Sequence, residues 1–294
     1  MLEYVKQHLA SAEKDPRLDT RAKVFEHLRA LGLSDFGQVM VSMPSADFPR
    51  LSSLLPRMAS RAVQEEWTGS SGFKLLGQTV SFASSASYNY ARLAGKSLSD
   101  ASILDFGCGY GRIARLMYYF TGEDQVFGCD PWGKSIEICK QDGLGNNFLQ
   151  SDYLPESLPL GARKFAFIYS FSVFTHLSER ATRAALSTLR KYIADDGLLV
   201  ITIRPVEFWE FRAEKFGAAH AIKRREHEEF GFAFRPHGYR AAVDGDITYG
   251  DTSLSLDWLK ANCPDWELAG IDRALSDLYQ VYVFLKPRPT EAVS

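Results

Sequence analysis

Ile103-Leu104-Asp105-Phe106-Gly107-Cys108-Gly109-Tyr110-Gly111-Arg112 decides how the rest of the chain is read. An apolar run meets an acid and three alternate glycines, after which Ile113, Leu116, Met117 and Phe120 recur at the spacing of one helix face. The pattern is strand, tight turn, helix. Glycine suits the turn because the backbone bends sharply and a ligand can approach without Cβ atoms intervening, while the new helix presents unpaired N–H groups. The stretch therefore predicts the first strand–helix junction of an α/β sheet, with a cradle for a nucleotide-sized ligand. Spacing narrows which one. A dinucleotide fingerprint, G-x-G-x-x-G, counted from Gly107 and Gly109, places its third glycine at position 112, which holds Arg112. That opposes an NAD-type oxidoreductase.

Downstream, Gln125–Cys129 predicts a second strand ending in Asp130, where a ribose-binding fold needs a bidentate acceptor for two hydroxyls. Asp130 can equally cap the helix predicted over Gly133–Gln141. Asn147–Gln150 predicts a third strand, closed by Ser151, Asp152 and Tyr153, so that Asp105, Asp130 and Asp152 end three successive strands at one sheet edge. Lys164–Tyr169 predicts a fourth strand leading to Ser170. A helix comes next, with Ser178 as N-cap and Ala185, Leu186, Leu189 and Ile193 inside, stopping near Gly197. Leu198–Ile203 is a continuous apolar run, as in a strand buried on both faces. The repeated β-α-β pattern predicts a doubly wound parallel sheet. After a helix over Leu254–Ala261, Trp266–Ile271 and Leu278–Leu285 add a closing hairpin, the second strand alternating at Tyr279, Val281, Val283 and Leu285, for seven strands in all.

The Asp105-x-Gly107-x-Gly109-x-Gly111 arrangement resembles motif I of the class I S-adenosylmethionine (SAM)-dependent methyltransferases. With Trp67-Thr68-Gly69 upstream of an F-G-C-G-x-G-R loop, it is also similar to a bacterial subgroup linked to glycan and secondary metabolism. The resemblance implies a Rossmann-like sheet, SAM as cofactor and S-adenosylhomocysteine (SAH) as product. It places Gly107, Cys108, Gly109 and Gly111 on the methionine and ribose portions, with Asp105 ordering the loop or meeting the amino group. It also places Asp130 on the ribose, Pro131 and Trp132 against the adenine, and Asp152 with Ser151 and Tyr153 at the adenine edge; Ser170, at the fourth strand's end, joins the set. A carboxylate beside a sulfonium cation is sensible electrostatics. Trp67, ahead of the glycine-rich turn Gly69–Gly72, reads either as a lid over the cofactor or as a core anchor.

Residues 1–66 predict a helical N-terminal extension: Leu2, Val5 and Leu9 share a face, Val24, Leu28 and Leu31 form a second segment closed by Gly32, and Pro44, Pro49 and Pro56 break the remainder into short pieces. It suits packing or homo-oligomerisation as well as substrate binding. Residues 67–294 then make the methyltransferase domain, with an acceptor-capping insertion at about 206–250. The insertion holds a helix-like run, Phe208–Phe216, a charged run, Lys223–Glu229, that reads as a solvated helix face, and Phe230–Tyr239. An alcohol acceptor must lose a proton, which invites a general base. His176, just past the fourth strand, and His237, in the cap, are the two candidates, though Phe174-Thr175-His176-Leu177 can also be a turn whose imidazole bonds backbone. Asp244, Asp246 and Asp251 suggest a hard-cation site but read more simply around a turn, and no metal is assigned.

Of 294 residues 46% are hydrophobic and 24% charged, the balance of a globular enzyme. The net charge of −2 opposes a general nucleic-acid binder. No stretch reaches membrane-span length and the N-terminus lacks an apolar signal core, so a cytoplasmic location is expected. Cys108, Cys129, Cys139 and Cys263 have no C-x-x-C pairing and read as structural thiols. The tail after Pro287 reads as disordered. The expected function is methyl transfer to a small-molecule or sugar acceptor, at a hydroxyl oxygen; the alternatives are a catalytically silent SAM-binding or scaffold protein and, less well matched, an NAD-type oxidoreductase.

Overall fold

Six helices precede the first strand: α1 (Glu3–Lys14), α2 (Arg21–Leu28), α3 (Leu33–Ser42), α4 (Pro49–Leu54), α5 (Arg61–Thr68) and α6 (Gly72–Ala94). The computed structural model describes residues 1–238 and 242–289; Tyr239 and residues 290–294, which belong to the expected cap and tail, lie outside the described residues. Thr20 and Ser60 start α2 and α5 by accepting from the amides of Lys23 and Val63. Val5, Leu9 and Ala12 are the buried stripe of α1, whereas Leu2 is its N-cap and is exposed. Gly32 does not close α2; it is the N-cap of α3. Among the described residues no helix is long and apolar enough to cross a membrane.

Met1–Tyr88 together with Ser97–Gln150 form one compact unit. It contains β1 (Ile103–Phe106), α7 (Ala114–Met117), β2 (Val126–Asp130), α8 (Gly133–Gln141) and β3 (Phe148–Gln150). The strands pair in parallel, with Asp105 opposite Gly128 and Asp130 opposite Gln150. Gly128 is required by packing, since a Cβ there would overlap the Phe148 ring. The N-terminal helices pack on this βαβ unit through polar ties: Arg21 Nη1 reaches Glu123 at 3.1 Å, and Arg29 Nη2 donates to the carbonyls of Tyr118 and Thr121 at 3.0 and 2.6 Å.

Asn89–Lys96 and Ser151–Ser294 form the second unit. Its elements after the β3 loop are β4 (Phe165–Ser170), α9 (Glu179–Tyr192), β5 (Ile193–Ile203), α10 (Glu207–Phe211), α11 (Ala213–Phe216), α12 (Ala219–Phe230), β6 (Phe232–Pro236), β7 (Gly250–Leu254), α13 (Leu256–Asn262), β8 (Trp266–Arg273) and β9 (Val281–Pro287). Ser178 caps α9 as expected, but the helix ends at Tyr192 and Ile193 already opens β5, because Ile193 pairs with Phe165. The alternation expected in the last strand is absent: β9 lies between β5 and β8, and Tyr282, Val283, Phe284 and Leu285 are all buried. Lys223–Glu229 lies on α12 with i,i+3 and i,i+4 pairs, Lys223–Glu226 and Arg224–Glu228. β6 and β7 form a separate two-stranded antiparallel sheet.

The large sheet has seven strands in the order β3-β2-β1-β4-β5-β9-β8. β4 and β5 pair in parallel, whereas β9 runs antiparallel to β5 and β8 to β9. This is the doubly wound, Rossmann-like sheet with a closing antiparallel hairpin that the sequence predicts.

Candidate functional site

The turn after β1 uses all three of its glycines in the left-handed region, with φ of 78° at Gly107, 52° at Gly109 and 73° at Gly111. At Gly111 the requirement is also steric, as a Cβ would sit 2.6 Å from Leu144 Cδ2; at Gly109 it would meet nothing within 4 Å, so the backbone there faces open space. The amides of Gly107 and Cys108 both donate to the Cys129 carbonyl, at 2.8 and 3.1 Å, which ties the turn to β2. Asp130 ends β2 and accepts from Gly109 N through Oδ2 and from Trp132 N through Oδ1, both at 2.9 Å. Burial raises its proton affinity, while the bonds from Trp132, Gly109 and Ser135 pull it back. Asp130 is not the side-chain cap of α8, whose N-cap is Trp132. Asp105 is buried within β1. All four cysteines are free and buried.

Trp67 occupies the last turn of α5, its ring 4.5 Å from Trp132 and 5.8 Å from Tyr110. Its indole N–H is buried and has no hydrogen-bond partner among the described residues. Gln64, within α5, donates to Ala59 O ahead of the helix at 2.7 Å and accepts from Gly72 N at the far end of the following turn at 3.1 Å. Ser151, Asp152, Tyr153 and Ser170 belong to the second unit. There Ser151 is buried, Asp152 and Tyr153 are exposed, and Ser170 is fully buried at the end of β4.

In the second unit, the segment after β4 and the strand β7 are laced together. Ser178 N donates to Thr248 O, Gly250 N to His176 O and Thr252 N to Thr175 O, at 2.8–2.9 Å. His176 has both ring nitrogens engaged: Nδ1 lies 2.6 Å from Gly250 O, so it carries the proton, and Nε2 lies 3.2 Å from Arg204 Nη2, so it accepts. Burial and then the Arg204 charge hold its pKa down to about 3. Arg204, just past β5, also donates to Thr175 O at 2.8 Å and to Asp251 Oδ1 at 3.0 Å. His237 Nε2 lies 2.9 Å from Asp251 Oδ2. Burial pushes the Asp251 carboxyl up, but the His237 bond and the Arg204 charge outweigh it and hold it below the usual range. Val243–Asp246 is a tight turn with positive φ at Asp244 and Gly245, and among the described residues no group of side chains could hold a metal ion.

Residues 103–197 match the family model of a methyltransferase domain. Over that segment the chain is similar to a methyltransferase domain. No curated protein matches the chain in sequence. Among solved structures, the PH0226 protein from Pyrococcus horikoshii OT3 is 12% identical over 78% of this chain and 97% of its own, with a TM-score of 0.52, a likeness of fold. The magnesium protoporphyrin IX methyltransferase of Synechocystis PCC 6803 with bound SAH is 17% identical over 78% of this chain and 93% of its own, with a TM-score of 0.47. A DhpI–SAH complex is 16% identical over 78% and 94%, with a TM-score of 0.48.

The methyltransferase domain's own residues fit SAM. An open-faced Gly109, an aspartate at the end of β2 and a partnerless indole N–H beside Trp132 offer approach, acceptor and donor in one compact unit. Two polar groups escape a reading of the sequence. Asp251 looks like one more turn acid and Arg204 like any charged residue past a strand, because what distinguishes them is their pairing across β5 and β7. Ser172 escapes it too: its φ of 60° is held by Ser172 N donating to Thr202 Oγ1 at 2.7 Å and Gln280 Nε2 donating to Ser172 Oγ at 3.1 Å.

Proposed function

We propose that the chain moves the methyl group of SAM to a hydroxyl oxygen of a small-molecule or sugar acceptor. The observation that carries the choice of oxygen is His237 held by the Asp251 carboxylate at 2.9 Å. A hydroxyl must shed a proton as it is methylated, and an imidazole steadied by a carboxylate is built to take one; a neutral amine has no such need before attack. His176 is poorly placed to accept a proton, since Gly250 and Arg204 occupy both of its nitrogens.

Bound SAM supplies a methyl group already activated on a sulfonium, so the protein's tasks are binding, orientation and exclusion of water. In this reading Gly107, Cys108, Gly109 and Gly111 carry the methionine and ribose portions and Asp130 accepts from the ribose hydroxyls. Pro131 and Trp132 cover the base, with Trp67 packed beside Trp132. A carboxylate has about four lone-pair sites, so Asp130 retains acceptor capacity beyond the amides of Gly109 and Trp132.

Calorimetric titration with SAH, with NAD in parallel, tests the cofactor reading, and radiolabelled methyl transfer from SAM to a panel of polyols, phenols and amines tests the acceptor. Micromolar SAH binding, on the order of −8 kcal/mol, with label on hydroxyl compounds is the expected result. Label on amines alone overturns the oxygen assignment, and tight SAH binding with no transfer to any panel member favours a silent SAM-binding protein.

A further inference from the structure

Arg115 lies on α7 with none of its side chain exposed, and its guanidinium is divided between two distant stretches of the first unit. Nη1 donates to the carbonyls of Tyr110 and Gly111, at 2.5 and 2.8 Å, where the glycine turn ends. Nε and Nη2 both donate to the Arg57 carbonyl, at 3.0 and 2.6 Å, in the link between α4 and α5. Asp142 Oδ2 stays 3.6 Å from Nη2, too far for a hydrogen bond, so main-chain carbonyls meet most of the buried charge. A buried cation is a poor way to fill a core, since apolar side chains of similar volume are often as stabilising or more so. What the cation adds is a connection. The link is fixed in turn by Arg57 N donating to Asp142 O at 2.8 Å and Met58 N to Met43 O at 3.1 Å, and it runs directly into α5. At the other end of α5 the chain returns to the turn, because the Trp67 ring lies 5.8 Å from that of Tyr110. Turn, guanidinium, link and α5 thus close a circuit of contacts within one unit.

We infer that Arg115 is a positioning residue for the cofactor: it joins residues 57–68 of the N-terminal extension to the glycine turn, so that docking of the link and shaping of the turn are one equilibrium. The inference rests on the reading of that turn as the SAM cradle. Its chemistry lies in the planar fork of the guanidinium, which directs donors outward along more than one edge and so holds two backbones at a fixed separation. A lysine ammonium carries the same charge on a single nitrogen and cannot span both. Because the groups held are main-chain carbonyls, the tie depends on Arg115 and not on the side chains of Tyr110 or Arg57. Linkage then works in both directions. A ligand that binds only the docked form steadies the link as it binds, and a loosened link weakens the ligand in proportion to the molecules left docked.

Hydrogen exchange of the full chain with and without SAH, followed by mass spectrometry, reads this equilibrium. In the wild type SAH should slow exchange in residues 107–111 and also in residues 57–61, which include the Met58 amide bonded to Met43 O. Arg115→Lys should break the sharing. If the turn is then ready in about one molecule in ten, SAH binds about tenfold more weakly by calorimetry, and the slowing at 57–61 is lost while that at 107–111 persists. A merely structural Arg115 would lower the variant's melting temperature but leave its SAH affinity and its shared slowing as in the wild type, and that result overturns the inference. Slowing confined to residues 107–111 in the wild type overturns it too, and decides the matter if Arg115→Lys does not fold. The same wild-type titration separates the two ideas: SAH binding without slowing at 57–61 removes the role of Arg115 alone, and absence of SAH binding removes the SAM reading itself.

Discussion

Asp130 holds the glycine turn as well as offering itself to a ligand, because Oδ2 accepts from Gly109 N while Oδ1 accepts from Trp132 N. Removing the carboxylate orphans two amides and deletes an ionised acceptor in one step. Asp130→Ala should therefore weaken SAH binding by about 1–3 kcal/mol, the scale of hydrogen bonds to a charged group, read by calorimetry. Unchanged affinity removes Asp130 from the cofactor site. Trp67 tests a second contact. Trp67→Phe keeps an aromatic ring on Trp132 and Tyr110 but deletes the partnerless N–H. If that N–H serves the cofactor, SAH affinity should fall by about 1 kcal/mol with little change in melting temperature; if Trp67 is only a core anchor, affinity stays as it was.

β7 makes the corresponding point for a whole strand. A Cβ at Gly250 would overlap the Arg235 carbonyl of the paired strand, which is backbone and cannot swing aside. Gly250→Ala should cost about 2–3 kcal/mol through overpacking, measured as a lower urea midpoint, and should loosen His176, whose Nδ1 donates to the Gly250 carbonyl. The strand is illegible in the sequence for the same reason that it is useful. Asp251, Thr252 and Ser253 look like loop residues, yet all are buried, each with a hydrogen-bond partner: Arg204 and His237 on Asp251, Leu177 O for Thr252 Oγ1, and Trp209 and His227 on Ser253 Oγ. Their polarity mimics exposure. By contrast the glycine turn, Asp130 and the runs of β4 and β5 are legible because local steric needs and double-faced burial leave marks within a few neighbouring residues. Pairings between distant segments, such as Phe165 with Ile193 or β7 with residues 175–178, leave none.

Acid stability draws these buried groups into a single observable. His176 has a folded pKa of about 3 against an ordinary value of 6.5, with burial the first cause and Arg204 the second. Between those two values the unfolded chain binds a proton that the folded chain refuses. Stability is thus complete above pH 6.5 and falls as pH drops below it. From pH 7.5 to 5.5 the loss from His176 alone is about 1.4 kcal/mol, which is a few degrees of melting temperature for a chain of this size. His27 and His227 are also lowered by burial and act with the same sign. Asp251, a lowered carboxyl, stabilises above the usual carboxylate range and loses that contribution only at lower pH, leaving the interval between about 4 and 6.5 to the histidines. His176→Gln retains a donor toward Gly250 and an acceptor toward Arg204 but has no proton to gain. Its melting temperature should fall less than that of the wild type between pH 7.5 and 5.5; identical slopes would mean that the folded chain protonates His176, and with it that Arg204 does not occupy Nε2.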